Sequence, residues 1–165
     1  MEIKIRPATP QDLTGILEIV NHNILHSTAL YDYDAKPYDY IETWFAEKHE
    51  SNLPVIVALE GDKVAGYGTY GPFRFKQGYR FTIEHSVYAA PGHEGKGIGK
   101  LLLTELIRLA KEGGYHCMIG GIDANNTGSI EFHKKFGFVE TGIIKEAGYK
   151  FGKWLDLQFM QLILS

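Results

Sequence analysis

The stretch His93-Glu94-Gly95-Lys96-Gly97-Ile98-Gly99-Lys100 sets three glycines between an apolar run through Val87, Tyr88, Ala89 and Ala90 and a helical pattern that starts at about Lys100. Glycine has no Cβ, so such a loop turns tightly and lets its backbone come close to a ligand. Amides at the head of the following helix converge, and the helix dipole adds partial positive charge there. Together they suit a phosphate or pyrophosphate. A flexible strand-to-helix turn uses glycines in the same way, and the spacing alone is a weak signal. A P-loop is excluded, because Leu101 follows Lys100 where that loop requires Ser or Thr.

Two further groups could do chemistry. In Phe73-Arg74-Phe75-Lys76-Gln77-Gly78-Tyr79-Arg80, three cations within seven positions could clamp a carboxylate and a second polar group, or simply line a solvated loop. In Ile83-Glu84-His85-Ser86-Val87-Tyr88, period-two alternation puts Glu84, Ser86 and Tyr88 on one face and His85 on the other. A carboxylate between Ile83 and Val87 on a central strand is partly desolvated, which raises its pKa toward a value useful for a base. An ion-paired edge glutamate is the plainer alternative, and His85 reads as structural. Further on, Asn126 opens a helix on which Ser129, His133 and Phe136 share a face. A plain N-cap explains Asn126 almost as well, and a core histidine is the alternative for His133. His22, His26, His49 and His116 are too scattered for a metal site, and Cys117 in its apolar run reads as a buried inert thiol.

These residues need a frame. Ile3 and Ile5 predict a short first strand ended by Pro7. Asp12 or Thr9 can cap a helix carrying Leu13, Ile16, Leu17, Ile19 and Val20, with an irregular segment from Asn21 to Pro37. A second helix is predicted from about Tyr38 to His49, and a hairpin from Val55–Leu59 and Val64–Tyr70 around Glu60-Gly61-Asp62-Lys63. A long strand from Tyr79 to Ala89 feeds the glycine loop. The next helix, bearing Leu102, Leu103 and Leu106, stops at Gly113-Gly114. Cys117–Ile122, Phe138–Ile143 and Trp154–Leu164 supply three more strands, with the Asn126 helix running to about Phe136 before Gly137. The expectation is a mixed α/β fold, a seven-stranded central sheet flanked by about four helices, with residues 1–165 as a single domain.

The 165 residues are 44% hydrophobic and 22% charged, an ordinary globular composition large enough for its own core. A formal charge of −3 without a basic block argues against nucleic acid as a partner. One cysteine excludes an internal disulfide, the first residues have no signal-peptide core, and no run approaches the ~20 apolar residues of a membrane span. A soluble cytoplasmic protein is expected.

Over nearly its whole length the sequence resembles the GNAT superfamily of acetyl-CoA-dependent N-acetyltransferases. The resemblance rests on Val87-Tyr88-Ala89, on Glu94-x-x-Gly97-x-Gly99, and on Asn126-x-x-Ser129-x-x-x-His133-x-x-x-Gly137-Phe138. Three more segments are similar to the phosphinothricin and methionine sulfoximine acetyltransferase branch. They are Asn21-His22-x-Ile24, Ile83-Glu84-His85-Ser86-Val87-Tyr88, and the tail Gly148-Tyr149-Lys150-Phe151-Gly152-Lys153-Trp154-Leu155-Asp156.

The resemblance implies acetyl-CoA as co-substrate and no metal. The pyrophosphate would lie on the amides and side chains of Gly95, Lys96, Gly97, Ile98, Gly99 and Lys100. The pantetheine arm would pair with Val87, Tyr88 and Ala89, with contacts from Asn126 and Ser129. Glu94 departs from the family, which usually carries Gln or Arg there, and it sets a negative charge beside an anion site. Direct transfer needs a base for the acceptor amine and a proton or hydrogen bond for the departing thiolate. The resemblance makes Glu84 that base. It makes His133, where most of the superfamily has tyrosine, a donor to the thiolate or a group that positions the substrate. Tyr31, Arg74, Lys76, Tyr79 and Ser86 match substrate-side positions. The implied acceptor is a small amino acid of the phosphinothricin, methionine sulfoximine or sulfone kind, with another primary amine or a non-catalytic acyl-CoA sensor as alternatives. A homodimer is also implied, with the apolar tail Phe159–Leu164 expected to pair at a sheet edge.

Overall fold

The computed structural model describes residues 2–165. One seven-stranded sheet runs through it. Its strands are β1 (Ile3–Pro7), β2 (Val55–Glu60), β3 (Lys63–Pro72), β4 (Thr82–Ala89), β5 (Cys117–Asp123), β6 (Val139–Lys150) and β7 (Lys153–Ile163). The helices are α1 (Leu13–His26), α2 (Tyr38–Glu50), α3 (Ile98–Glu112) and α4 (Thr127–Lys135). In space the strands run β1-β2-β3-β4-β5-β7-β6, and β4 with β5 is the parallel pair.

Each face of the sheet buries the stripe its helices present. Ile16, Ile19 and Val20 of α1 and Ile41 of α2 meet Val55, Val57 and Tyr67 on one face. On the other, Leu102, Leu103 and Leu106 of α3 and Ile130 of α4 meet Ile56, Ala58, Ile83 and Met118. The three α3 leucines are fully buried, each stabilising the fold by about 1.5–3 kcal/mol. Alternation along β4 follows from this packing: Ile83 sits in the α3 core, and Tyr88 packs against the α1–α2 core.

Three boundaries and one strand pairing differ from the sequence expectation. Helix α1 continues to His26, because Ile24 stands four residues after Val20 and is buried with it, although polar neighbours hide the period. Strand β4 begins at Thr82 rather than Tyr79, and Gln77–Tyr79 instead form a 3-10 turn. Strand β6 runs on to Lys150 across an irregularity between Ile144 and Gly148, with Glu146 at φ 53°. The tail is not an edge. Strand β7 pairs with β5 on one side and β6 on the other, so β6 is the exposed edge.

Candidate active site

Strands β4 and β5 pair only over Thr82–Glu84 with Cys117–Ile119. From His85 to Ala89 strand β4 is paired with β3 alone, so backbone groups on its other side face a wedge rather than a partner strand. The wedge holds a cavity of about 810 Å³, bounded by His85, Val87 and Ala89, by the glycine loop, and by Asn126, Ser129 and His133 of the α4 region. A second cavity of about 370 Å³ shares several of these residues and extends to Ser27 near the end of α1, to Ser86 and Tyr88, and to Gly121 on β5.

The glycine loop closes one end of the wedge. Gly95 and Gly97 have φ of 77° and 79°, left-handed backbone that glycine adopts without penalty, and Gly97 is the N-cap of α3. The first backbone bond of α3 runs from Leu101 N–H to Gly97 O, which leaves the amides of Ile98, Gly99 and Lys100 without an intrahelical acceptor. His93 anchors the loop: it is buried, and its Nε2 lies 2.8 Å from Glu60 Oε2. The Glu94 carboxylate accepts the Gly92 amide at 2.8 Å, so its charge is partly tied up in its own loop. Lys100 borders the cavity, whereas the Lys96 ammonium leans toward Glu60 at 3.8 Å. Lys135 of α4 also reaches the cavity, a cation the motif spacing did not single out.

Past the other end of the wedge, Glu84 stands in one row with Ser86 and Tyr88 on the α1–α2 face, opposite Gly71 on β3. Burial pushes its carboxyl pKa up, as its apolar neighbours led us to expect. Burial also pushes the Tyr88 phenol up to about 12. Gly121 makes room for Glu84: a Cβ there would lie 3.0 Å from Glu84 Oε2.

His133 enters from α4, on the opposite face. It is buried, its Nδ1 lies 2.7 Å from Ser129 O, and its Nε2 lies 3.0 Å from His85 Nε2. Burial pushes its pKa down, partly opposed by the Ser129 carbonyl. Asn126 caps α4, its Oδ1 accepting the Ser129 amide at 3.1 Å. Glu84 and His133 therefore flank the splayed strands from opposite faces of the sheet.

The remaining substrate-side positions separate. Tyr31 lies over Gly148, where a Cβ would overlap its ring, and its buried hydroxyl has no hydrogen-bond partner among the described residues. The loop carrying Tyr31 is held by Lys150, whose ammonium donates to Asn23 O, Ser27 O and Leu30 O. Thr28 of the same loop donates to Asp123 at the end of β5, at 2.5 Å. Arg74 and Lys76 border a different hollow of about 320 Å³, with Ile83 and Tyr115. Because β3 ends at Pro72 and β4 starts late, their loop leaves the sheet and does not meet Glu84. Tyr79 is linked to the Glu84 side only through rings, Tyr79 to Phe73 at 6.1 Å and Phe73 to Phe159 at 6.0 Å. Among the described residues no three His, Cys, Asp or Glu side chains gather to hold a metal ion, and no helix is long and apolar enough to cross a membrane.

Residues 20–138 match the Acetyltransferase (GNAT) family. The chain belongs to that family and is an acyltransferase. It is 42% identical over 161 residues to the L-methionine sulfoximine/L-methionine sulfone acetyltransferase of Salmonella typhimurium, covering 98% of this chain and 94% of that protein. Among solved structures, an acetyltransferase from Salmonella typhimurium with its cofactor acetyl-CoA superposes with a TM-score of 0.96 at 41% identity, covering 99% of this chain and 94% of the other. A phosphinothricin acetyltransferase of the GNAT superfamily from Sinorhizobium meliloti, in complex with acetyl-CoA, gives 0.96 at 36% identity, covering 100% and 90%. The mixed seven-stranded sheet with four helices is thus the GNAT fold. His85, read from the sequence as structural, and Lys135, which the sequence did not single out, both border the cavity. Alternation put His85 on the face away from Glu84, where it does lie, but gave no sign that α4 brings His133 to that same face.

Proposed function

We propose that this chain transfers the acetyl group of acetyl-CoA directly to the amino group of a small amino-acid-like acceptor of the methionine sulfoximine, methionine sulfone or phosphinothricin kind, with residues 1–165 acting as one domain. The carrying observation is the wedge between β4 and β5. It has unpaired strand backbone along one wall, open helix amides at one end, and the partly desolvated carboxylate of Glu84 just past the other.

The wedge fits acetyl-CoA. Backbone around Val87, Tyr88 and Ala89 accepts an extended amide-bearing arm as an added strand would. Amides from Gly95 to Lys100, with the Lys96 and Lys100 charges, take the pyrophosphate. Asn126 and Ser129 border the arm. Bound acetyl-CoA supplies the thioester carbonyl. Glu84 takes the proton of the acceptor ammonium, directly or through water, and a raised pKa suits that task near neutral pH. Ser86 and Tyr31 line the acceptor side, whereas Arg74 and Lys76 border a separate hollow and Tyr79 stands apart, so the three take no part in this reading. His133 borders the acyl end, as donor to the thiolate or as a positioning group.

Two finer features belong to the same reading. Strand β6 leaves Val139, Ile143 and Ile144 about half exposed on an unpaired edge, which supports a homodimer built there. The single cysteine is a buried free thiol, which fits a reducing cytoplasm.

The test is thiol release from acetyl-CoA with a panel of acceptors: phosphinothricin, methionine sulfoximine, methionine sulfone, glutamate, spermidine, an aminoglycoside and a short peptide. Turnover confined to the first three is expected. Turnover on the polyamine or aminoglycoside instead would overturn the acceptor class, and acetyl-CoA binding without turnover on any would point to a sensor.

A further inference from the structure

His85 has no part in the roles above, yet it sits where β4 leaves β5 and borders both cavities. Its ring stacks on that of His133, centroids 5.0 Å apart and planes 25° from parallel, with the two Nε2 atoms 3.0 Å apart. The surrounding hydrogen bonds fix where the protons are. His133 Nδ1 is 2.7 Å from the Ser129 carbonyl oxygen, which can only accept, so Nδ1 carries a hydrogen. A neutral His133 then has a bare Nε2. The hydrogen between the two Nε2 atoms must come from His85, and His85 Nδ1 is left bare. That atom is buried and has no partner among the described residues, and the His85 ring meets that of Phe138 edge-on, centroids 5.7 Å apart.

The other arrangement would need a doubly protonated His133, and its surroundings offer that cation no counter-charge. On β4, Glu84 projects to the opposite face, and on β5 Gly120 presents only backbone, with no room for a Cβ beyond 3.2 Å from His85 Nε2. Helix α4 contributes Ser129 and Phe132, and Phe138 closes the far side. The charged groups and other histidines of the two cavities that both rings border are Glu94, Lys100, Lys135, Asp123, His93 and His22; Asp123 accepts from Thr28, and none is hydrogen-bonded to either ring. Burial pushes His85 down to about 3 and His133 down as well, so both are neutral near pH 7.

We propose that His85 is a positioning residue that donates to His133 and holds it in the neutral Nδ1–H tautomer, its Nε2 lone pair already occupied. His133 then borders the acyl end as a fixed, uncharged wall and passes no proton to the departing thiolate. This decides between the two roles left open for His133 and rests on the acetyltransfer reading.

The test has a spectroscopic arm that needs no substrate. Nitrogen-15 NMR of the imidazoles in the intact protein should show His133 as the Nδ1–H tautomer at about pH 7.5. His85→Gln keeps an N–H donor, while His85→Phe removes it. The Phe variant should loosen the tautomer preference of His133 and lower kcat about ten-fold, with acetyl-CoA KM changed less than about two-fold. The Gln variant should restore the tautomer and most of kcat. An Nε2–H tautomer in the unmodified protein overturns the proposal, as does a Phe variant with tautomer and kcat unchanged. Should the Phe variant not fold, the unmodified protein and the Gln variant still decide it. A protein with the expected tautomer but no turnover on any amine would refute acetyl transfer and leave the His85–His133 geometry standing.

Discussion

Gly121 on β5 and Glu84 on β4 are complementary: a Cβ at position 121 would stand 3.0 Å from Glu84 Oε2, closer than ordinary contact. Neither residue can be altered without touching the other, and Gly121 also borders the acceptor-side cavity. Gly121→Ala should therefore push the carboxylate out of its position. We expect kcat to fall about two- to ten-fold while acetyl-CoA affinity is kept, since the added methyl shifts the carboxylate by a few tenths of an ångström. Steady-state kinetics with acetyl-CoA titrated to saturation would measure it, and an unchanged kcat would detach Glu84 from the reaction.

Removing the proposed base, Glu84, should cost more. Glu84→Gln keeps size and polarity but cannot take a proton, and we expect kcat to fall about 10- to 1000-fold with little change in acetyl-CoA binding. Burial raises the Glu84 pKa, so the acid limb of kcat/KM should lie above the ordinary carboxylate value of about 4.3. Activity then rises with pH as Glu84 loses its proton, and the Gln variant should lose that limb. A variant with the same limb would assign it to another group.

The glycine loop predicts a different kinetic signature. Gly97 caps α3 at φ 79°, a backbone an alanine adopts at a cost of about 1–2 kcal/mol, although a Cβ there would meet nothing within 4 Å. Gly97→Ala should raise the acetyl-CoA KM about five- to thirty-fold, with kcat at saturation largely kept. A fall in kcat alone would separate this loop from pyrophosphate binding.

The strand-loop-helix unit around Gly97 could be read because its glycines, apolar strand and α3 stripe are local in sequence. The Glu84–Ser86–Tyr88 row followed from strand alternation. Long-range placements were not legible. Nothing near Arg74 or Lys76 says that their loop leaves the sheet after Pro72, and nothing near His85 says that a helix 48 residues on supplies its partner. The tail looked like an edge because its apolar run is the same whether one or both sides are paired. Lys150 looked like any tail lysine, although its ammonium is caged by carbonyls of residues more than a hundred positions earlier.

That cage gives the fourth prediction. Lys150 is 2% exposed and donates to three carbonyls around the end of α1 and the loop bearing Tyr31. Lys150→Met fills similar space but leaves those carbonyls without a donor, at a cost of about 2–4 kcal/mol in folding stability. Urea unfolding would measure this. A KM for the acceptor that rises while the acetyl-CoA KM holds would show that the loop serves the acceptor side.

The last prediction concerns acid stability. His85 has a folded pKa of about 3 and His133 one below its usual value, against about 6.5 when unfolded. Between those values the unfolded chain holds more protons than the folded one. Stability should therefore fall as pH drops below about 6.5, with a slope approaching about 1.4 kcal/mol per pH unit from His85 and an addition of the same sign from His133. Other groups act elsewhere or with the opposite sign. Lys48, lowered by burial to about 8, has its window above pH 8. Carboxyls held low by partners, such as Asp12 and Glu60, lose their contribution only below about pH 4.5. Glu84, raised by burial, gains a proton first in the folded state and offsets part of the loss. Denaturation at pH 7.5, 6.5, 5.5 and 5.0 isolates the histidine window. His85→Gln should flatten the slope by about one proton, and a slope unchanged in that variant would show that His85 is already charged in the folded protein.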